Sequence, residues 1–494
     1  MVGRPKLDFS LPLAASLCLA ALLAAALLAP AGAGAEARAT PLTPALAKLG
    51  TPAVAAKSPD AQAEAIGVPA EGPGSIVREG DRVIVEARFE AGALARLEAL
   101  KAASAKIRLA SGRYQAVSLS VKPEDLKAIA AVPGVSAVIP SQAPIVYAAG
   151  ASTAAVTSNG LCEGGSVISQ GLQQLNVPAA REAFGARGTG ETIGVISTSF
   201  NLATQSVEGG PIATTESADE VSNDLPGKAS TCSGQETPVR VIEEAPLSAK
   251  NEVTDEGRAM LQVVHDLAPH AELAFATAYS NELEFARNIE RLAEPVSAGG
   301  AGANVIVDDV AYPYEPFFQE GPVSVAIRKV TEVGVTYLTA AGNDNLFEIV
   351  KGKRTENEIG SWEASEYKPI ACPEALDNVL GETSEGCMNF SVGPGGPDPE
   401  FGIRVEAGGT ARIDLQWAEP WYGVETDLDA YLFTNNGGTP KLVAESKFDS
   451  PEVGVPFELI EWKNESPTSS QVAYLVINRC SGTCNSEAIK GRRG

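Results

Sequence analysis

Asn343 follows three small residues, Ala-Ala-Gly, which leave its side chain uncrowded. The stretch VGVTYLTAAGNDN, from Val333 to Asn345, is β-rich and mostly apolar up to Thr339, and then continues as Ala-Ala-Gly before the Asn. A side-chain N–H delivered from the end of a buried strand can stabilise the oxyanion that develops in acyl transfer. Gly, Asn and Asp are also ordinary turn residues. The sequence therefore gives two interpretations of Asn343, an oxyanion-hole donor and a turn residue.

A second candidate is the pair Asp308 and Asp309, which ends the apolar stretch ANVIVDDV. In open α/β sheets, ligands bind at the carboxyl ends of the strands. Two adjacent carboxyl groups at such an edge can supply a catalytic acid. We therefore predict a site role for Asp309, and the alternative is a solvated strand end or a helix cap.

A third acidic pair, Asp427 and Asp429, lies in TDLDAYLF. Alternate residues of a strand face the same side, so both carboxyl groups point one way. Calcium takes six or more oxygen ligands, and two carboxyl groups supply only part of such a set. We predict a structural role at a strand edge and no cofactor, with a structural calcium ion as the alternative.

Composition and charge limit the class of protein. The chain has 494 residues, a net charge of −24 and two His. Its length fits two to four domains. Strong acidity argues against nucleic-acid binding, which uses a basic face, and against docking on anionic membranes.

The N-terminus has the pattern of a secretory signal peptide, predicted over residues 1–37. A basic start, MVGRPK, precedes the apolar run LPLAASLCLAALLAAALLAP and the small residues AGAGAEA. An uncleaved anchor is the alternative, because the apolar run is long. No second run of this kind follows. We therefore predict a secreted, extracellular protein that has no membrane segment after signal cleavage.

Six Cys lie outside the signal peptide, and an even count in an exported chain favours disulfides. Neighbourhood in sequence suggests the pairs Cys162–Cys232, Cys372–Cys387 and Cys480–Cys484, although six Cys allow fifteen pairings. The spacings do not fit a zinc site.

Composition and periodicity divide the rest of the chain into four segments. Residues 38–78 are rich in Ala, Pro and Gly without period and predict a linker. Residues 79–147 predict a β-α-β-β-α-β unit of the ferredoxin-like type. Residues 148–385 alternate strands and helices, which predicts a parallel sheet. Residues 386–485 contain short strands separated by Gly and Asn turns, which predicts a β-sandwich.

Four stretches, in order, resemble the subtilisin-like serine peptidases, a group that includes the sedolisins. QLNVPAAREAFGARGTGETIGVIS resembles the approach to the family's first catalytic strand, and DEGRAMLQVVHDLAPHAEL resembles the helix of its H-G-T-H motif. ANVIVDDV resembles the strand V-I-N-M-S, and YLTAAGN resembles the oxyanion strand. The resemblance covers about residues 80–345, because the segment 79–147 resembles the inhibitory propeptide of these enzymes. Residues 386–485 resemble the pre-peptidase-type sandwich of secreted bacterial peptidases.

This resemblance implies roles for particular residues. Glu256 falls near the family's His, where sedolisins place a Glu base, and Asn343 falls at the oxyanion-hole position. The family's Asp position falls on Ser197 or Thr198, which cannot be anions. Met260 occupies the position, one turn after Glu256, where sedolisins have an Asp. Glu256 also has a simpler interpretation, as a helix-start carboxylate favoured by the helix dipole.

Two further departures concern nearby groups and the nucleophile. Neither His265 nor His270 falls at the family's His position, and for both we predict a surface or helix-end role. Glu252 would share a face with Glu256 if the helix began early. The family's serine motif, G-T-S-x-A-x-P, does not occur in these residues. The predicted fold is therefore an α/β, subtilisin-like parallel-sheet core that is incomplete. It follows a ferredoxin-like α+β propeptide and precedes an all-β sandwich.

Two functions follow from these observations. The first is a secreted subtilisin/sedolisin-like serine endopeptidase homologue, truncated or inactive as given, with Glu256, Asn343 and Asp309 as site residues and a protein or peptide as substrate. The second is a secreted, non-catalytic pseudopeptidase that binds through its sandwich. Trp417, Trp421 and Tyr422 would supply its contact patch, unless they pack in the core.

Overall fold

The computed structural model describes residues 41–72, 74–90, 96–146, 156–157, 161–206, 210–279, 281–342, 346–350, 353–359, 362–376, 380, 384–391, 396–421, 423–436, 439–447 and 450–480. All of them lie in one compact unit, Thr40–Gly494. The predicted signal peptide and Asn343 fall outside the described residues. Within the described ranges, no helix is long and apolar enough to cross a membrane.

The linker predicted over residues 38–78 is wrong for most of its length. Three short helices occupy it: α1 (Pro44–Leu49), α2 (Pro52–Ala55) and α3 (Pro59–Ile66). Leu46 and Leu49 are fully buried in the core of the domain that follows. The Pro residues that suggested a linker start helices here, because Pro suits a first turn whose N–H groups have no intrahelical partner.

The next segment forms the expected α+β unit. Its elements are β1 (Arg78–Glu79), β2 (Arg82–Phe89), α4 (Leu97–Ala102), β3 (Lys106–Ser111), β4 (Ala116–Val121), α5 (Leu126–Ala130) and β5 (Val135–Pro140). The antiparallel sheet has the order β5-β2-β4-β3, and β1 also pairs with β2. This is the order of the ferredoxin-like arrangement. Helices α1 to α3 and this sheet share one core, and residues 41–146 are called the N-terminal domain below.

A parallel sheet forms the middle of the unit. The chain first runs through β6 (Ile145–Val146), β7 (Val156–Thr157), β8 (Val167–Ile168), α6 (Gly171–Gln174) and α7 (Val177–Phe184). It then continues through β9 (Thr192–Ser197), α8 (Glu216–Ser222), β10 (Arg240–Glu243), α9 (Glu256–Leu267), β11 (Glu272–Thr277), α10 (Glu282–Ala293), β12 (Val305–Asp308), β13 (Val310–Ala311), α11 (Pro322–Glu332) and β14 (Thr336–Thr339).

The parallel strands have the order β10-β11-β9-β12-β14. Strand β9 is central, and its successive side chains enter different cores. Val195 packs with Phe275 and Leu261 of α9, whereas Ile196 packs with Phe285 and other residues of α10 and α11. Burial on both faces explains why the middle of β9, IGVI, is a continuous apolar run. The carboxyl ends of β9 and β12 therefore lie side by side, next to the start of α9.

Antiparallel sheets form the C-terminal part. Their elements are β15 (Leu346–Val350), β16 (Lys353–Ile359), β17 (Pro369–Ile370), β18 (Ser384–Met388), β19 (Phe401–Val405), β20 (Thr410–Gln416), β21 (Asp427–Asn436), β22 (Thr439–Ser446), α12 (Ser450–Val453), β23 (Phe457–Lys463) and β24 (Gln471–Cys480). A six-stranded sheet around β24 and β21 shares a core with the pair β20–β23, through Leu428 and Leu475 on one side and Ile460 on the other. The predicted fold class is confirmed: an α/β parallel sheet, preceded by an α+β part and followed by antiparallel sheets.

Two predicted disulfides are confirmed, Cys162–Cys232 and Cys372–Cys387. Cys480 is also disulfide-bonded, and its predicted partner Cys484 lies outside the described residues.

Candidate functional site

Helix α9 begins with an unusual turn that presents Glu256 at the sheet edge. Asp255 precedes it with left-handed backbone geometry (φ 55°) and is buried. Its Oδ1 accepts hydrogen bonds from the Ser199 hydroxyl (2.8 Å) and from the backbone N–H groups of Leu202 and Ala203. Asp255 therefore holds the loop after β9 against the helix start, and the next residue, Glu256, faces the end of β9.

Glu256 binds a hydroxyl group at the carboxyl end of β9. The buried Ser197 donates a hydrogen bond from Oγ to Glu256 Oε2 at 2.6 Å. Burial raises the pKa of Glu256, the Ser197 hydrogen bond opposes this rise, and the negative charge of Asp309 adds to it. Glu256 is therefore a partly buried carboxyl group whose pKa depends on the charge of Asp309.

The two adjacent acids of β12 have different surroundings. Asp308 is buried, and its Oδ1 accepts a hydrogen bond from Thr339 Oγ1 at 2.7 Å, while Oδ2 accepts one from the Tyr337 hydroxyl. Asp308 thus ties β12 to β14. Asp309 is partly exposed, its buried Oδ1 has no hydrogen-bond partner among the described residues, and burial raises its pKa. Of the pair, Asp309 is the carboxyl group available to a ligand.

A short antiparallel strand pair lies directly after Asp309. Strand β13 pairs with β6, in the register Val310 to Val146 and Ala311 to Ile145. Strand β6 is the end of the N-terminal domain, so an extended segment of this chain pairs with the two residues that directly follow Asp309. The arrangement is that of a backbone recognised by strand addition.

The structure brings Glu256 and Asp309 within electrostatic reach of each other, and Asn343 lies outside the described residues. Glu252 is not on the helix, since α9 begins at Glu256, and its Oε2 accepts a hydrogen bond from the Tyr279 hydroxyl. Sequence reasoning assigned no role to Ser197, because a hydroxyl cannot be an anion. The resemblance places the family's Asp at Ser197 or Thr198, and this was the signal that could have found Ser197.

Of the two roles predicted for His265, the helix-end role agrees with the structure and the surface role is wrong. His265 is fully buried in the last turn of α9, and burial lowers its pKa to about 4. It is therefore neutral at pH 7, and it lies more than two turns from Glu256 along the helix.

The C-terminal acids Asp427 and Asp429 have hydrogen-bond partners within their own part of the fold. Asp429 accepts a hydrogen bond from the Tyr431 hydroxyl at 2.9 Å, and Asp427 accepts one from the backbone N–H of Ser450 at 3.0 Å. Burial, and then the charge of Asp427, raise the pKa of Asp429 to about 8. Among the described His, Cys, Asp and Glu residues, Cys480 lies with these two acids, and its sulfur is disulfide-bonded. These described residues do not fit calcium, which takes six or more oxygen ligands.

The aromatic patch predicted as an alternative is packed instead. Trp421 is buried with Tyr314, Val455 and Phe457, and Trp417 packs against the core of the C-terminal sheets. Tyr422 lies outside the described residues.

Comparison with known proteins gives distant likenesses. No protein-family model and no curated protein matches the chain. Among solved structures, a mutant of the epidermin leader peptide processing serine protease (EpiP) from Staphylococcus aureus is similar over 53% of this chain and 61% of its own length, with 11% identity and a TM-score of 0.32. The chain thus spans less than two thirds of that protein.

A second similar structure is fervidolysin from Fervidobacterium pennivorans, described as a keratinolytic enzyme related to subtilisin. The match covers 78% of this chain and 70% of that one, with 12% identity and a TM-score of 0.26. At these values the likenesses do not establish a family for this chain.

Proposed function

We propose that the chain is a secreted homologue of the subtilisin/sedolisin-like serine peptidases that binds extended peptides at the edge of its parallel sheet. We also propose that these 494 residues do not form an acyl-enzyme. The observation that carries the proposal is the antiparallel pairing of β6 with β13, next to Glu256 and Asp309. Secretion rests on the N-terminal sequence pattern and agrees with the two disulfides.

Strand pairing supports a peptide as the ligand. Backbone N–H and C=O groups of Val310 and Ala311 recognise any extended chain, because the ladder uses main-chain atoms. The segment Ile145–Val146 takes this place in the folded chain. The N-terminal domain therefore blocks the peptide-binding edge with its own end, which agrees with the propeptide-like pattern of its sequence.

The charged groups support recognition without serine catalysis. An acyl-enzyme needs a nucleophile activated by a base, and Glu256 has the hydroxyl of Ser197 as its close partner. Ser197 is fully buried at the end of β9, so this hydroxyl is not open to a substrate carbonyl. We propose that Ser197 positions Glu256, and that Glu256 and Asp309 form the acidic wall of the peptide site.

The test removes β6 from β13 and then measures whether β13 binds an added peptide. In the double variant Ile145→Pro/Val146→Pro, β6 loses both backbone N–H groups and can no longer pair with β13. We expect this variant to bind a fluorescent peptide of sequence SQAPIVYAAG, residues 141–150, with a Kd of about 1 mM or tighter. Wild-type protein should bind it at least about two-fold more weakly, because the tethered segment competes at an effective concentration on the order of millimolar, and the difference grows as the Kd becomes tighter.

The control peptide is SQAPPPYAAG, which lacks the same N–H groups and should not bind either protein. Thermal unfolding of the double variant must first show that it is folded. A folded double variant that ignores both peptides would overturn peptide binding at this edge. Labelling of wild-type protein by a fluorophosphonate would overturn the statement that no acyl-enzyme forms.

A further inference from the structure

We propose that the N-terminal domain docks on a surface shared by helix α10 and the C-terminal sheets, and that this docking depends on a proton held by Glu282. The inference goes beyond peptide binding and does not depend on it. The partner of the surface is the N-terminal domain of the same chain. Three kinds of contact form this surface: polar, apolar and aromatic.

The polar contact centres on Glu284 in the first turn of α10. Arg108 of the N-terminal domain forms two hydrogen bonds with this carboxylate, Nε to Oε1 at 2.9 Å and Nη2 to Oε2 at 3.0 Å. Ser118 donates to Oε1 at 3.0 Å, and Asn281, the cap of α10, donates to the hydroxyls of Ser118 and Ser141. Bidentate Arg–carboxylate pairs fix orientation as well as contributing energy. The N-terminal domain therefore has one defined orientation on α10.

The apolar contact is a core shared across the boundary. Val77 and Ile84 of the N-terminal domain are buried in one cluster with Ala245, Val253 and Tyr279 of the parallel-sheet region. A mixed core of this kind leaves neither side able to bury its apolar surface alone.

The aromatic contact brings in the C-terminal sheets. The guanidinium of Arg88 lies over the ring of Trp421, 5.2 Å from its centroid, in cation–π geometry. Trp421 packs with Tyr314 and Phe457, whose ring centroids are 4.4 Å apart. Three parts of the chain therefore meet at this junction: the N-terminal domain, the loop after β13 and the C-terminal sheets.

The junction also encloses carboxyl groups. Glu86 and Arg88 of β2 are buried and form an ion pair, Nε to Oε1 at 2.5 Å, while Oε2 of Glu86 has no hydrogen-bond partner among the described residues. Glu282, in the first turn of α10, is buried as well. The charges that act on Glu282 come from Glu86 and Arg88 of β2 and from Glu315 of the loop after β13. Tyr312 and Tyr314 also lie within electrostatic reach of it.

These surroundings favour the protonated form of the Glu282 carboxyl group. Burial, and then the charge of Glu86, raise the pKa of Glu282 to about 8, and burial, followed by the charge of Asp308, raises the pKa of Glu315 to about 7. A solvated Glu has a pKa of about 4.3. The docked domain therefore binds a proton more tightly than the separated surface does. The contribution of this proton to docking is complete below about pH 4 and is lost progressively as the pH rises to about 8.

The experiment is hydrogen exchange of full-length protein, followed by mass spectrometry of peptides from β4 and the start of α10. After correction for the intrinsic rate, we expect the opening constant of this interface to rise about 50-fold between about pH 6 and pH 8, because one proton with a pKa of about 8 is lost. The variant Glu282→Gln has no proton to lose. It should leave only the smaller rise due to Glu315, and it should exchange more slowly than wild type at about pH 8.

The matched control on the same helix is Glu284→Gln, which breaks the pairing with Arg108. It should speed exchange at every pH and keep the pH dependence of the wild type. Wild-type exchange that is independent of pH after correction would overturn the proposal, and this measurement needs no variant to fold. A folded Glu282→Gln protein with the wild-type pH dependence would also overturn it.

Discussion

Arg258 supports the loop that positions the candidate site, and its replacement by Met gives a sharp prediction. Arg258 is buried on the first turn of α9 and pairs with two buried carboxylates, Asp219 (Nε to Oδ2 at 3.2 Å) and Asp255 (Nη2 to Oδ2 at 3.6 Å). It also donates hydrogen bonds to Asn201 Oδ1 and to the carbonyl oxygen of Thr214, both at 2.9 Å. Four segments therefore depend on one guanidinium.

The magnitude follows from what the substitution leaves behind. Arg258→Met keeps most of the side-chain volume but leaves Asp219, which is 1% exposed, without its cation. Removing one partner of a buried ion pair costs about 3–5 kcal/mol. Burial already raises the pKa of Asp219, and Arg258 is one of the groups that lower it. In the variant this pKa rises further, so the loss of stability should be smaller at about pH 5 than at about pH 8.

Hydrogen exchange of the α9 amides measures the free energy of local opening, which suits a chain with several domains better than a single melting curve. A loss of about 3 kcal/mol means exchange more than about 100-fold faster. The matched control is Arg328→Met, since Arg328 also pairs with two carboxylates, Glu320 and Glu332, but is half exposed. It should have little effect. A loss below about 1 kcal/mol for Arg258→Met, or one independent of pH, would refute the reasoning.

Two further predictions concern the start of α9. A Cβ at Gly257 would lie 2.2 Å from Cε2 of Phe275 and 2.8 Å from the carbonyl oxygen of Ser199, so Gly257→Ala should destabilise the protein by about 1–3 kcal/mol; a higher melting temperature, as expected for Ala in an unobstructed helix, would contradict this. Ser197→Ala removes the hydrogen bond that lowers the pKa of Glu256, so this pKa should rise. Titration of ¹³C-labelled Glu by NMR checks it, and an unchanged or lower value would show that Ser197 does not act on Glu256.

The buried strands could be predicted closely from sequence. The stretches RVIVEARF and VSAVIP coincide with β2 (Arg82–Phe89) and β5 (Val135–Pro140), because both are buried runs bounded by polar or turn residues. The helices over Pro44–Ile66 could not, because each is too short to display a 3.6-residue period. Their stability comes from tertiary packing, which a local pattern does not record.

The candidate site was only partly accessible from sequence. Glu256 and Asp309 were each singled out, but their proximity depends on β12 pairing with β9, which sequence distance does not reveal. The difference between Asp308 and Asp309 was also hidden, because it arises from the opposite directions of successive side chains and from Tyr337 on a neighbouring strand. The catalytic roles of Glu256, Asp309 and Asn343 stay predictions.

The position of β9 has a consequence for how the chain assembles. Strand β9 is the first strand of the parallel sheet to be synthesised, and it becomes the middle one. β11 joins one of its sides, β12 joins the other, and β14 then extends the sheet beyond β12. β10 can pair only after β11 has arrived, although it is made earlier. A chain that emerges N-terminus first can thus build this sheet outward from its centre, and no finished strand pair has to open to admit a later one.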